Sequence, residues 1–244
     1  MEQTVRAIVL RREDKGESDR RLTLLTSELG KIGVIARGAK KSTSRLAAAS
    51  EPLSIGRYTF TLSKKNRYLS QAQPERGLAR LRTDYDRLLA GIAIAELAAA
   101  VLPWEHPAEL ELAVLEQGLS ALHEAPSIPA AYAWAILRFL STTGQQPDFS
   151  AVPVIGEGSE RRAWLSPSHG GAWNPDEGVP RDRFSAPYSA VVALAKLTEL
   201  ETAPRHLREP LTILEALYPF LVNVADLDLP ATRQYLGAAR TPAG

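Results

Sequence analysis

Arg20-Arg21-Leu22-Thr23-Leu24-Leu25-Thr26, a turn at Glu28-Leu29-Gly30-Lys31, and then Lys31-Ile32-Gly33-Val34-Ile35-Ala36-Arg37 read as two paired strands. Both arms are rich in β-branched and aliphatic residues, and Gly30 stands where a hairpin connection needs positive φ. Outward from this hairpin, Val5 to Arg12 forms an earlier strand closed by the turn Asp14-Lys15-Gly16. Ile55 to Leu62 and Arg67 to Gln73 form two later ones. Four or five short strands in about 75 residues, with a polar insertion at 38–50, suit a small closed or nearly closed barrel. In the fourth strand Tyr58, Phe60 and Leu62 alternate with Arg57, Thr59 and Thr61. The apolar face is assigned to the barrel interior rather than to base stacking, because an interior has to be filled.

Beyond Pro74 the period changes. Leu78, Leu81, Tyr85, Leu88, Ile92, Ala95, Ala99 and Leu102 follow a 3-4 spacing that predicts one long helix ended by Pro103. Further helices are expected from about Pro107 to His123 and from Ser127, with Pro129 in its first turn, to Gly144. Residues 145–187 interrupt with Pro, Gly and Ser and hold only short extended pieces. Helices resume over Ala186 to Leu200, Leu207 to Val224 and near Pro230 to Leu236. The expected domains are a barrel over 1–76 and a mainly helical unit over 77–244.

The net charge of +1 conceals two unlike halves. Residues 1–87 carry 19 Lys+Arg against 10 Asp+Glu, a net +9, whereas residues 88–244 carry 10 against 18, a net −8. An asymmetry of this size points to nucleic-acid or membrane contact by the basic half. Its cations cluster in connections: Lys40, Lys41 and Arg45 after Arg37-Gly38, then Lys64, Lys65 and Arg67, with no acidic residue from Gly30 to Ser50. If the two connections meet in space they make a continuous positive rim. The longest apolar run, Leu97 to Pro103, falls far short of the roughly 20 residues that cross a bilayer. With no secretory pattern after Met1, the expectation is a cytoplasmic, nucleoid-associated protein without membrane contact.

Catalytic chemistry finds few candidates. The absence of cysteine excludes a disulfide framework, a thiol nucleophile and thiolate metal sites. Gly30-Lys31 has Leu25 where a P-loop needs glycine, and neither Gly-x-Gly-x-x-Gly nor Gly-x-Ser-x-Gly occurs. His106, His123, His169 and His206 lack ligand spacing. Glu96, within an apolar stretch, is expected to accept a hydrogen bond or ion pair in the helix bundle rather than act as acid or base. The chain is read as no enzyme, with no catalytic residue, metal or cofactor.

Several segments carry a family resemblance. They are Val9-Leu10, Gly16-Glu17-Ser18-Asp19 before Leu22-Thr23-Leu24-Leu25-Thr26, Gly30-Lys31, and Ala36-Arg37-Gly38-Ala39-Lys40-Lys41-Ser42 with Ser44-Arg45-Leu46. Pro52, Glu96-Leu97, Leu137 to Gly144 and Pro147-Asp148 continue them. In this order and spacing they resemble the RecO family of bacterial recombination mediators. The resemblance implies an α+β protein in which an N-terminal oligonucleotide-binding (OB-fold) barrel precedes a mainly helical domain with a zinc-ribbon-like insertion. Many relatives carry Cys-x-x-Cys-Gly after the Pro-Asp; here Val152-Pro153-Val154-Ile155-Gly156 stands there, and Asn174 and Glu177 follow Gly170-Gly171. The insertion is therefore expected to be degenerate and metal-free, with Trp164 and Trp173 supplying packing.

The resemblance further implies binding of single- and double-stranded DNA, annealing of complementary strands, and recombinase loading with RecR on strands coated by single-strand-binding protein. Lys31, Arg37, Lys40, Lys41, Arg45, Lys64, Lys65 and Arg67 are expected to hold phosphates without reading bases. Docking of the acidic tail of single-strand-binding protein needs cations in the acidic half, for which Arg138, Arg205 and Arg208 are the candidates. The alternative is an RNA-binding or translation-associated barrel, since phosphate contacts alone do not separate RNA from DNA.

Overall fold

The computed structural model describes residues 2–75, 77–150, 154–158, 161–174 and 178–240, with residues 239 and 240 described by backbone alone. Strands β1 (Glu2–Lys15), β2 (Asp19–Thr26), β3 (Gly30–Ala36), β4 (Ile55–Ser63) and β5 (Asn66–Pro74) close into a barrel of order β1-β2-β3-β5-β4. Only the β3–β5 contact is parallel, and it is a single pair, Ile35 with Tyr68. Its core comprises the inward residues of every strand, among them Val9, Leu22, Leu24, Ile32, Val34, Tyr58 and Phe60. Tyr58 donates its buried hydroxyl to the carbonyls of Ala49 and Ser54, and burial pushes its pKa up to about 12.

Leu62 departs from the expected core: it is 57% exposed, because the β4–β5 hairpin runs past the end of the barrel. β1 has the opposite character. Val5, Ala7 and Val9 fill the barrel, while Ile8 and Leu10 belong to the core of the helical domain, so both faces of this strand are buried. A bulge follows: Val9 faces Leu24, but Arg11 faces Thr23, and the extra residue Leu10 lies between.

The expected long helix is two. α1 (Ala79–Thr83) and α2 (Tyr85–Val101) are separated by Asp84, whose extended backbone ends one helix and whose carboxylate accepts the Arg87 N–H at 3.1 Å to cap the other. The apolar period persists across the break, since Leu81 and Leu89 enter the same core, and periodicity alone cannot detect it. Arg87 also donates to the carbonyls of Leu122 and Ala125, closing the C-terminus of α3 (Glu109–Glu124). α4 (Ile128–Thr142), α5 (Tyr188–Glu199), α6 (Pro210–Ala225) and α7 (Pro230–Arg240) complete the domain. The carboxylate of Glu96 in α2 accepts the Ala231 and Thr232 N–H groups at 3.1 and 3.2 Å and so caps α7. That is the hydrogen-bond role expected of it.

Between α4 and α5 lies a small sheet of β6 (Val154–Ile155), β7 (Arg162–Ser166), β8 (Gly171–Ala172) and β9 (Phe184–Pro187). The last strand begins ahead of the helix that sequence periodicity extended to Ala186. Of the two extended pieces expected in this stretch, Ala151 to Ile155 and Arg162 to Leu165, residues 151–153 lie outside the described residues. Among the described residues, no helix is long and apolar enough to cross a membrane.

Two contacts lock the barrel to the helices. Arg6 on β1 pairs with Glu75 at 2.9 Å and with Glu116 on α3. The segment between α2 and α3 also lies along β3, where Glu105 N–H donates to the Lys31 carbonyl at 3.0 Å and Ala108 N–H to that of Ser27 at 2.9 Å. It fills the stretch of β3 that β5 leaves unpaired. Gly30 is required here twice over. Its φ is +62°, and a Cβ would stand 1.6 Å from the His106 carbonyl oxygen.

Candidate nucleic-acid interface

The outward residues of β1, β2 and β3 form the floor of a cleft of about 410 Å³ between the barrel and the helical domain. Arg11 and Glu13 come from β1, Arg21 and Thr23 from β2, Gly33 and Ile35 from β3. Lys65 comes from the β4–β5 turn, Asn66 and Arg67 from the start of β5, and Ala99 and Trp104 from the helical side. Arg21 projects here because Leu22 and Leu24, its alternating neighbours, fill the barrel. Arg11 projects here because of the bulge; strict alternation from Val9 would turn it inward.

Four cations therefore converge on one barrel face against a single lining carboxylate. Glu13 pairs with Arg11 at 3.2 Å, and Glu105 at the rim holds Arg67 at 2.8 Å. Among the described residues, Arg21 and Lys65 make no ion pair, which leaves them able to take an anion. An exposed pair such as Arg11–Glu13 contributes little to stability, and a phosphate can compete with the carboxylate for the guanidinium.

Of the eight cations expected to contact phosphate, Lys65 and Arg67 line this cleft. Arg37 lies beside it, its guanidinium 4.1 Å from the centre of the Tyr68 ring. Lys64 is exposed in the same turn as Lys65. Lys40, Lys41 and Arg45 are exposed as well, but they belong to a loop drawn to the β1–β2 turn. There Lys40 N–H donates to the Ser18 carbonyl, its ammonium pairs with Asp14 at 2.8 Å, and Gly38 N–H donates to Asp19. The cations form two groups, Lys40, Lys41 and Arg45 in one loop and Lys64, Lys65 and Arg67 at the β4–β5 hairpin, with Arg37 ahead of both in the chain.

Lys31 leaves the set. Its side chain is buried, its ammonium donates to the Ala99 carbonyl at 2.6 Å, and the Trp104 ring centre lies 4.7 Å away. Burial pushes its pKa below the ordinary lysine value, as expected where an ammonium has lost water and gained no carboxylate. Its position on the outer face of β3 would expose it in an isolated barrel; the α2–α3 segment covers it.

The three arginines expected to serve a partner are dispersed. Arg205 lines a groove of about 530 Å³ with Trp134, Pro126 and Pro204, and Arg208 lines a separate hollow with Lys196, His206 and Ile213. Arg138, on α4, is half-buried, and its Nε has no partner among the described residues. No single surface unites the three.

The insertion does not fit a zinc ion. Val154 and Ile155 are exposed strand residues without a donor atom, and the chain has no thiolate to offer. Among the described residues, no group of three His, Asp or Glu could hold a metal; positions 152, 153 and 177 lie outside them. The Trp164 and Trp173 rings meet edge to face at 6.5 Å, and the Arg183 guanidinium lies over both, at 5.2 and 6.0 Å. The carboxylate of Asp182 accepts hydrogen bonds from the Ser168 N–H and from the hydroxyls of Ser166 and Ser168, at 2.7 to 2.9 Å. The expected tryptophan packing is present, with an arginine added to it.

A closed five-stranded barrel of order 1-2-3-5-4, carrying a cationic cleft on its β1–β3 face, defines an OB-fold protein with a helical domain appended. The family model described as recombination protein O N terminal matches residues 1–77, and that described as recombination protein O C terminal matches residues 82–224. A DNA repair protein RecO of Roseiflexus sp. is 33% identical over 212 residues, covering 85% of this chain and 72% of that protein. One of Nocardioides sp. is 30% identical over 225 residues, covering 86% and 90%, and one of Anaeromyxobacter dehalogenans 34% over 206, covering 79% and 77%. The chain belongs to the RecO family, whose members are recombination proteins and not enzymes.

Proposed function

We propose that this protein is a recombination mediator in DNA repair that holds single- and double-stranded DNA by the phosphates and anneals complementary strands. The observation that carries the reading is the convergence of Arg11, Arg21, Lys65 and Arg67 on the outer β1–β3 face of an OB barrel. Annealing follows physically, because a surface that neutralises two strands lowers their mutual repulsion and raises their local concentration. Arg37, Lys40, Lys41, Arg45 and Lys64 extend the cationic surface to a second strand or to duplex. In this reading the acidic half meets protein partners: RecR, and the acidic tail of single-strand-binding protein at the groove of Arg205 or the hollow of Arg208.

A salt-titrated annealing and binding assay tests it. With about five phosphates held, log affinity for a single strand should fall against log salt with a slope of roughly −3.5. Reversing Arg21 and Lys65 together to Glu should weaken all DNA sequences alike and flatten that slope by about 0.7 per lost contact. An unchanged slope in the variant would overturn the assignment to this cleft. A marked preference for matched RNA over DNA would favour the RNA-binding alternative.

A further inference from the structure

The one aromatic side chain among the described residues lining the cleft has no place in phosphate binding. Trp104 is 54% exposed, and it stands among four cations, Glu13 and small or aliphatic residues. Tryptophan is enriched at binding interfaces, where its apolar ring and polar N–H meet a mixed environment, and Leu102 is already buried before the chain reaches Trp104. The ring is nonetheless held in place. Its residue bridges to Lys31 on β3, the next N–H donates to the Lys31 carbonyl, and its own carbonyl lies 2.8 Å from His106 Nδ1. Glu105, which makes the turn that presents it, has a φ of +59°, a conformation uncommon outside glycine. The Lys31 ammonium, fixed by the Ala99 carbonyl, lies over the indole at 4.7 Å, and the edge of the indole lies over Gly33, where a Cβ would stand 4.0 Å from Trp104 Cζ3.

We propose that Trp104 is the base-stacking platform of this protein, receiving an unpaired base of a single strand on the ring surface that faces the cleft. The barrel cannot supply such a platform itself. Tyr58 and Phe60 are 0% and 2% exposed inside it, and Tyr68 is occupied by Arg37. The helical domain thus completes the OB site, and the buried Lys31 serves it indirectly by holding the indole. A paired base cannot leave its stack without disrupting the duplex, so Trp104 discriminates single strands from duplex where the surrounding cations do not. The inference rests on the reading of the cleft as a nucleic-acid site.

The test compares oligo-dT, an abasic strand of equal length and a duplex, each bound to the full chain and to Trp104→Ala. Stacking on one aromatic accounts for about tenfold in affinity or more. Trp104→Ala should therefore lose about tenfold on oligo-dT, keep its affinity for the abasic strand and the duplex, and retain the wild-type salt slope. Trp104→Phe, which preserves packing and a ring, should restore oligo-dT binding while abolishing the quench of tryptophan fluorescence that oligo-dT produces in the parent. Equal losses on all three ligands, or none on oligo-dT, would overturn the proposal. If Trp104→Ala fails to fold, persistence of the quench in Trp104→Phe overturns it instead. The cleft reading fails separately, by reversal of Arg21 and Lys65 leaving oligo-dT binding intact.

Discussion

The barrel and the small sheet of β6 to β9 are both antiparallel β-structure in one chain, yet they are held together by opposite means. The barrel closes on itself, with the stretch of β3 that β5 leaves unpaired covered by the α2–α3 segment, and buries a core that includes Tyr58, Phe60, Leu22 and Leu24. The sheet has strands of two to five residues, and its buried members, Ala163, Leu165 and Ala186, belong to the core of the helices. The Phe149 and Phe184 rings both pack on Phe220 of α6, at 5.5 and 6.0 Å. On its other side the sheet relies on the Trp164–Trp173–Arg183 stack and the hydrogen bonds at Asp182. A short sheet without a metal or a core of its own can persist where a neighbouring helix supplies one face and an aromatic pair the other.

The sharpest way to break this comparison is to remove one large buried side chain from each region. Trp173, 2% exposed, and Tyr58, 0% exposed, should each cost about 3–5 kcal/mol as alanine. Hydrogen exchange should separate them. Trp173→Ala should strip protection from β7 and β9 and spare β1 to β5, whereas Tyr58→Ala should strip it from all five barrel strands together. Loss of barrel protection in Trp173→Ala would show the two sheets to be one cooperative unit and end the distinction.

A smaller effect lies at Asp182. Burial raises its pKa, but the donors from Ser166 and Ser168 outweigh burial and hold it below the usual carboxylate range. The sheet therefore gains stability above that range and loses it as pH falls through the depressed value. Because Asp182 is solvent-exposed, Asp182→Asn should cost at most about 1 kcal/mol. It should also remove the acid sensitivity of β7 and β9 protection without changing that of the barrel. Acid sensitivity unchanged in the variant would assign it to other carboxylates.

The same contrast decides what could be read from the residues alone. The barrel was legible because alternation and turn chemistry are local, and its strands agree with both; so were Lys65 and Arg67, at a hairpin end that cannot avoid the surface. Arg21 was within reach, since the burial of Leu22 and Leu24 turns it outward. Arg11 was not, because a bulge at Leu10 reverses the face and nothing local announces it. Lys31 was misread as accessible because the segment that covers it comes from 70 or so residues away, a tertiary contact with no signature in β3. Leu62 and the break at Asp84 show the converse: a correct local period continues beyond the end of the barrel in β4 and across the break between α1 and α2.

The weakest response is expected from metal removal, and it separates the two accounts of the insertion most cleanly. A structural zinc contributes folding free energy directly, so a chelator lowers the Tm of any protein that depends on one. Here Val154 and Ile155 offer no donor, and the Trp164–Trp173–Arg183 stack occupies the sheet instead. Treating the purified chain with a tight zinc chelator should leave its Tm and the exchange protection of β7 unchanged, and elemental measurement should find no stoichiometric zinc. A fall in Tm on chelation, reversed by zinc, would mean that His and carboxylate groups assemble a site without thiolates. The sheet would then be held by the same kind of cross-link as a zinc ribbon, and the contrast with the barrel would be one of size alone.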